Sequence, residues 1–187
     1  MKDKSGNSVF RSVFTLVVLI LMFLSLPAHA QSFDFNNVVL IKTGISSRGL
    51  KWGDGTVRDC QKIFGKPSSV ENFYSEIDED TLQLLNYGKN KLYFDKGIFR
   101  TFDLVDAFMS VGDSKGNIFK IGDKMKTKNG VKTFFDFKLN ETPGNSWNLD
   151  FETSANAYLK RNGLVMDSGI GLLFDKNDTL FYIGIWD

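Results

Sequence analysis

The stretch KLYFDKGIFRTFDL (residues 91–104) decides the fold, because the end of the chain resembles it: GLLFDKNDTLFYIGIWD (residues 171–187). The motif L-x-F-D-K opens both stretches. In each, one apolar run leads into a short turn and a second apolar run leaves it, which is typical of a β-hairpin. The sequence therefore predicts two related antiparallel hairpins.

The requirement to bury apolar side chains predicts the register of each hairpin, since a one-residue slip would turn them outward. In the first, a three-residue loop ending at a left-handed Gly97 places Tyr93 opposite Phe99. In the second, a four-residue loop places Phe174 opposite Phe181. Four aromatic side chains then lie on the sheet face opposite the helices, and we predict that they bind a partner: Tyr93, Phe99, Tyr182 and Trp186.

A helix is predicted within GDGTVRDCQKIFGKP (residues 53–67). Asp54 or Thr56 is expected to cap its start, since a short side-chain oxygen accepts from the first free amides. Cys60 and Phe64 lie at helical spacing on one apolar stripe, and the Gly-x-Pro that follows ends the helix. Cys60 is therefore predicted to be a small core residue.

The remaining sequence predicts the fold class. IGDKMKTKNGVKTFF (residues 121–135) is interpreted as an echo of the first helix, and SANAYLKRNG (residues 154–163) as a short helix. We therefore expect an α+β fold, in which an antiparallel sheet has helices packed on one face. Two tandem helix-then-three-strand repeats are predicted, the first at about residues 45–111 and the second at about residues 118–187.

The first thirty residues are predicted to be a signal peptide. Basic residues precede an uncharged run that ends in AHA before Gln31, the pattern of a signal-peptidase site. The apolar run is shorter than the roughly 20 residues of a membrane-spanning helix. We expect cleavage after Ala30 and a single periplasmic or secreted domain, residues 31–187, with no stable membrane anchor.

The scarcity of histidine and cysteine limits the possible chemistry. The only histidine, His29, belongs to the predicted signal peptide, and Cys60 is the only cysteine. A Ser-His-Asp triad, a histidine-bearing zinc site and an internal disulfide are therefore not expected. Loss of the peptide changes the formal net charge from +1 to −1, which does not favour nucleic acid. We expect no enzyme activity and no cofactor.

The helix that ends in Phe-Gly-x-Pro, followed by LYFDKGIF, resembles the SmpA/OmlA family of small outer-membrane proteins. A doubled helix-then-sheet unit is similar to the beta-lactamase inhibitory protein fold. The first resemblance implies a scaffold subunit in barrel-protein assembly, anchored by a lipidated cysteine. The second implies an inhibitor that binds an enzyme across an aromatic sheet face and carries disulfides. This chain lacks the cysteines for either feature, so no specific partner follows.

Two functional hypotheses remain. The first, which we favour, is a binding module that recognises another envelope or extracellular protein as an inhibitor, immunity factor or assembly adaptor. The second is a small-ligand carrier, or a carboxylate-dependent hydrolase with a cleft between the repeats. The hydrolase requires a concave site with an Asp or Glu of raised pKa. The binding module requires an exposed aromatic sheet face.

Overall fold

β-Strands make up most of the protein in the computed structural model, which describes residues 32–45, 49–76 and 80–186. These residues belong to one compact unit, Gln31–Asp187. The predicted signal peptide lies outside the described residues. Within them, one helix is present, α1 (Val57–Phe64). The strands in chain order are β1 (Val39–Lys42), β2 (Leu50–Lys51), β3 (Ser69–Ser75), β4 (Asp80–Tyr87), β5 (Asn90–Asp95), β6 (Ile98–Leu104), β7 (Met109–Gly112), β8 (Ile118–Lys120), β9 (Lys126–Lys128), β10 (Val131–Thr133), β11 (Lys138–Asn140), β12 (Gly144–Ser146), β13 (Leu149–Phe151), β14 (Thr153–Arg161), β15 (Leu164–Phe174) and β16 (Leu180–Trp186).

An antiparallel sheet of eight strands dominates the architecture, in the order β11-β14-β15-β16-β6-β5-β4-β3. A second sheet has the order β2-β1-β7-β8, and β9–β10 and β12–β13 form separate hairpins. The two hairpins with the L-x-F-D-K motif, β5–β6 and β15–β16, lie side by side because β6 pairs with β16. The sequence likeness between them therefore corresponds to neighbouring parts of one sheet.

One apolar core joins one face of the large sheet to the four-stranded sheet and α1. We call this face the inner face; Leu85, Leu92, Phe102, Leu172 and Ile183 belong to it, and all five are fully buried. Next to it lies a cluster of edge-to-face phenylalanine rings, in which Phe134 bridges Phe119 on β8 and Phe174 on β15. We call the opposite face of the sheet the outer face; the β12–β13 hairpin contacts it through Trp147.

The helix α1 confirms the sequence prediction in detail. The Thr56 hydroxyl accepts from the Asp59 amide at 3.2 Å, and the Asp59 carboxylate accepts from the Thr56 amide, so both free amides are satisfied. Cys60 and Phe64 are buried. Gly65 ends the helix at a φ of 90°, which is in the left-handed region that favours glycine.

The α+β prediction with tandem helix-then-three-strand repeats is wrong, because the two later segments that were expected to be helical form strands and hairpin turns. Residues 121–135 contain β9 and β10, joined at Asn129 and Gly130, and residues 154–163 contain β14 and its turn at Asn162 and Gly163. All four of these turn residues have positive φ, as a type I′ hairpin turn requires. The Asn-Gly dipeptides therefore connect strands, and the protein is mostly β.

The predicted register of the first hairpin is also wrong. Lys96 and Gly97 both have positive φ and form a two-residue turn, so that Phe94 lies opposite Phe99. The register shifts between Tyr93 and Phe94, which places Tyr93 opposite Thr101. The tighter turn and the bulge together move the Phe99 side chain from the outer face into the core.

The second hairpin resembles the first more closely than its predicted four-residue loop allows. Phe174 lies opposite Leu180 rather than Phe181, and the register shifts between Leu173 and Phe174. This is the same place in the L-x-F-D-K motif as the shift in the first hairpin. Ile183 points into the core, as the sequence predicts.

Candidate functional site: the outer face of the large sheet

The outer face holds three of the four aromatic residues predicted to bind a partner. Tyr93 and Tyr182 lie on it but are buried, and Trp186 is half-buried at the end of β16. Phe99 is wrongly assigned to this face, because its ring packs against Phe94 and Phe102 inside the core. The structure therefore places three of the four residues on the predicted face; that they bind a partner stays a prediction, and the exposed members of this face have to be identified from the structure.

Three further aromatic residues lie on or against the outer face and are partly exposed. Phe73 on β3, Tyr158 on β14 and Trp147 in the β12–β13 turn are 44, 54 and 38 % exposed. The Phe73 ring meets Tyr93 edge to face at 5.3 Å between centroids, and Tyr158 meets Trp186 in the same way at 5.1 Å. We call the combined set the aromatic face: Phe73, Tyr93, Trp147, Tyr158, Tyr182 and Trp186.

Glycines on β15 and β16 set the positions of these rings. A Cβ atom on Gly169 would lie 2.1 Å from the Trp186 ring, and one on Gly171 would lie 2.4 Å from the Trp147 ring. Such distances mean that each ring rests directly on the glycine backbone, which only a residue without a side chain allows. The rings of Trp147 and Trp186 are therefore held in place before any partner binds.

The β12–β13 hairpin covers one part of the outer face. The Trp147 ring in its turn contacts Tyr182, with 4.9 Å between ring centroids. Trp147 and Asn148 both have positive φ, so this two-residue turn is also of the type that suits a hairpin. The hairpin leaves Tyr158 and Trp186 on one side and Phe73 on the other partly open to solvent.

A carboxylate lies at the centre of the aromatic face. The Asp103 carboxylate on β6 accepts a hydrogen bond from the Tyr93 hydroxyl at 2.8 Å and another from the Tyr182 hydroxyl at 2.5 Å. Each hydroxyl donates to a different carboxylate oxygen. In the sheet, Asp103 lies opposite Lys91 on one side and Gly184 on the other. The absence of a side chain at Gly184 lets the Tyr182 ring reach across it to Asp103.

Burial raises the pKa of the Tyr93 and Tyr182 hydroxyls above the usual tyrosine value, and the nearby charge of Asp103 raises it further. Both hydroxyls therefore remain protonated donors at neutral pH. They fix the position of the Asp103 carboxylate, whose remaining lone pairs can accept hydrogen bonds from a further donor.

Two grooves share Trp52 and Arg161 in their linings. The larger has a volume of about 490 Å³ and includes Asp34 and Asp54 in its lining. Hydrogen bonds, chiefly from the Ser114 hydroxyl, lower the pKa of Asp34 to about 2. The pKa of Asp54 is also lowered, by its contact with Lys51. The carboxylates of this groove thus have the opposite shift from that of a general acid.

The smaller groove has a volume of about 360 Å³ and includes Asp95 and Arg100 in its lining. These two side chains form an ion pair at 3.2 Å. In the described ranges, no group of three or more His, Cys, Asp or Glu side chains could hold a metal ion. Nor does any described helix have the length and apolarity needed to cross a membrane.

The comparisons with known proteins provide no relative. No protein family matches the chain. No curated protein is significantly similar to it. No solved structure matches the fold significantly. The resemblances noted from the sequence motifs consequently remain predictions, and the function has to be argued from the outer face itself.

Sequence reasoning missed Phe73, Trp147 and Tyr158 for different reasons. The sequence predicts no strand around Phe73, and it predicts a helix, residues 154–163, around Tyr158. The sequence predicts no element around Trp147. The glycines at positions 169, 171 and 184 were the available signal, because glycine inside a strand indicates close approach by another group.

Proposed function

We propose that the protein is an exported, non-enzymatic binding module that recognises another protein through the aromatic face. The observation that carries the proposal is a set of partly exposed rings held by contacts within the molecule: Phe73, Trp147, Tyr158 and Trp186. Aromatic side chains dominate the energetics of protein interfaces because they bury a large area at a small cost in conformational entropy.

The fixed position of the rings supports recognition of a protein surface. Trp186 is held between the Gly169 backbone and the Tyr158 ring, and Trp147 between the Gly171 backbone and Tyr182. A surface that is ordered before binding loses less conformational entropy on association. The Asp103 carboxylate between the tyrosines adds a hydrogen-bond acceptor at the centre of the aromatic face. A partner's donor that paired with it would be removed from water, and the hydrogen bond would contribute to specificity.

The described carboxylates give less support to a hydrolase. Each one with a shifted pKa is shifted downward, including Asp34 and Asp54 in the larger groove. A general acid needs a pKa near the working pH, which requires the opposite shift. A small-ligand carrier remains the alternative, because the larger groove could hold a small molecule. A binding screen of small molecules against the purified protein tests this alternative.

The test is a capture experiment from envelope fractions and culture fluid, with the tagged protein as bait. We expect the native bait to retain a specific protein, and the Tyr158→Ala/Trp186→Ala variant to lose it. Both rings are at least partly exposed, so this variant should fold. Val131→Ala, which removes an exposed apolar side chain from β10, is the matched control and should retain the same protein.

The proposal fails if the double variant, verified as folded by circular dichroism, captures the same protein as the native bait. It also fails if no protein is captured from any fraction. If a partner is captured, its binding to the native protein is measured by titration calorimetry. If none is captured, the next experiment is a search for small ligands of the larger groove.

A further inference from the structure

Strand β3 forms one edge of the eight-stranded sheet, with β4 as its neighbour. Seven residues of β3 pair with β4 in an uninterrupted antiparallel register, from Ser69 with Asn86 to Ser75 with Asp80. All residues of β3 except Ser75 are exposed. An edge strand presents unpaired backbone amides and carbonyls along its free side, which can pair with another strand.

β3 lacks the features that usually protect a sheet edge. Proteins shorten edge strands, interrupt them with bulges, or place lysine and proline on them. The opposite edge, β11, is only three residues long and includes Lys138. In contrast, β3 is seven residues long and contains neither lysine nor proline. Its one charged side chain, Glu71, accepts hydrogen bonds from Ser69 and Asn86 within the same sheet.

Apolar side chains of β3 are exposed on both faces of this edge. Val70 and Tyr74 lie on the inner-face side, beyond the covered core, and are 51 and 59 % exposed. Phe73 lies on the outer-face side. Exposed apolar side chains on both sides of a long edge strand favour burial against another strand and its neighbours.

We propose that β3 pairs antiparallel with β3 of a second copy of this chain, so that the two large sheets continue into one another across a two-fold axis at Asn72. This interface does not depend on whether the aromatic face binds another protein. A second copy presents the same strand, and an interface with two-fold symmetry has to be self-complementary. The sequence of β3 meets that condition.

The axis position follows from the alternation of side chains. Directly opposite residues must lie on the same face of a continuous sheet, so the axis must pass at a residue and not between two residues. At Asn72, Val70 of one copy lies opposite Tyr74 of the other, and Glu71 lies opposite Phe73. The two strands are then paired from Val70 to Tyr74, and an aliphatic–aromatic pair forms twice.

Neighbouring axis positions are less favourable. An axis at Glu71 would place two carboxylates directly opposite each other, which is destabilising. An axis at Phe73 would leave Ser69 and Val70 beyond the paired region, with the Val70 side chain still in solvent. Self-pairing at Asn72 separates the two Glu71 charges and brings Val70 and Tyr74 together on both sides of the axis, so the strand is complementary to a second copy of itself.

The first test measures the oligomeric state by sedimentation velocity across micromolar concentrations, on protein purified from cells expressing the full chain. We expect a concentration-dependent monomer–dimer equilibrium. Val70→Lys/Tyr74→Lys should weaken dimerisation by about tenfold or more, because a charged edge resists pairing. Leu164→Lys/Val165→Lys changes two side chains that are even more exposed, on the β14–β15 hairpin, and should leave the equilibrium unchanged.

The second test measures the register by cysteine crosslinking. The native Cys60 is fully buried and should not interfere. We expect Asn72→Cys to give a disulfide-linked dimer on oxidation, because the two positions lie opposite each other. Val70→Cys alone should give little disulfide-linked dimer. A mixture of the Val70→Cys and Tyr74→Cys proteins should give a disulfide-linked dimer of one with the other, because these positions lie opposite each other.

A protein that stays monomeric throughout overturns the proposal. The same holds if the Leu164→Lys/Val165→Lys control loses dimer as strongly as the β3 variant, or if a dimer forms but Asn72→Cys does not crosslink it. Capture of a foreign extended segment on β3 by an otherwise monomeric protein would likewise replace the second copy as the occupant.

Discussion

At the scale of single residues, Asp103 organises the aromatic face because it accepts hydrogen bonds from the hydroxyl groups of two buried tyrosines. The Tyr93 and Tyr182 rings approach it from different strands, β5 and β16, and β6 lies between them. A buried donor without an acceptor loses its hydrogen bonds to water and gains nothing in return. The two tyrosines and the aspartate therefore depend on each other.

Replacement of Asp103 tests this dependence. Asp103→Ala should lower the free energy of unfolding by about 2–4 kcal/mol, because two buried hydroxyls lose their acceptor. Asp103→Asn keeps one acceptor oxygen and should cost less. The measurement is chemical denaturation of the three proteins; equal stability of the alanine and asparagine variants would contradict the expectation.

Alkaline pH tests the same group of residues. The pKa of Tyr93 and Tyr182 is raised in the folded protein above the ordinary value of 10.0. Their neutral hydroxyls thus contribute stability that is complete below pH 10 and decreases as the pH rises above it. Unfolding free energies measured between neutral and alkaline pH, with tyrosinate absorbance followed in parallel, should show this decrease. The Tyr93→Phe/Tyr182→Phe variant should show a smaller one.

At the scale of secondary-structure elements, sequence reasoning succeeded where signals are local and failed at the turns. The helix α1 was predicted correctly, since its cap, apolar stripe and terminal glycine lie within a few residues. The prediction of a helix ending at Asn162-Gly163 is wrong, because a glycine at this position also fits a helix end. The buried Ala155 and Leu159 alternate with more exposed residues as in a strand, and Asn-Gly is the dipeptide typical of a hairpin turn.

The contact between Trp147 and Gly171 gives a prediction at this scale. Gly171→Ala places a methyl group where the Trp147 ring lies, so the ring must move. We expect a loss of roughly 1–3 kcal/mol in unfolding free energy, as for overpacking, and a change in tryptophan fluorescence. In a Trp147→Ala background the same substitution should cost much less, and an unchanged cost there would refute the contact.

At the scale of the whole molecule, the sequence predicted the antiparallel hairpins and their likeness but not the overall arrangement. Hairpin pairing is local, whereas the contact between β6 and β16 joins residues that are far apart in the chain. The bulges of the two motif hairpins could not be read from apolar patterning alone. They explain why Phe99 was assigned to the outer face and lies instead in the core.

Acid stability is a property of the whole molecule to which Asp34 contributes. Its folded pKa is lowered from 3.8 to about 2, mainly by the Ser114 hydroxyl, so its contribution is complete above pH 3.8 and lost as the pH falls toward 2. Ser114→Ala should therefore be less stable than the native protein above pH 3.8, and the difference should shrink toward pH 2.

The matched control for this prediction is Ser110→Ala. Its hydroxyl pairs with Thr43 and not with a carboxylate, so its effect on stability should not change with pH over this range. Denaturant unfolding at a series of pH values distinguishes the two variants. A Ser114→Ala difference that is constant with pH would contradict the role assigned to Asp34.

The burial of the only cysteine makes the protein its own reporter of opening. The Cys60 thiol lies on the buried side of α1, donates a hydrogen bond to the Tyr87 hydroxyl at 3.4 Å, and has its pKa raised by burial to about 11. A thiol reagent can reach it only when the structure opens, so the labelling rate at increasing denaturant records which opening exposes it. If labelling follows global unfolding, the helix is part of the cooperative core; if it is faster, α1 detaches from the sheets while they remain folded.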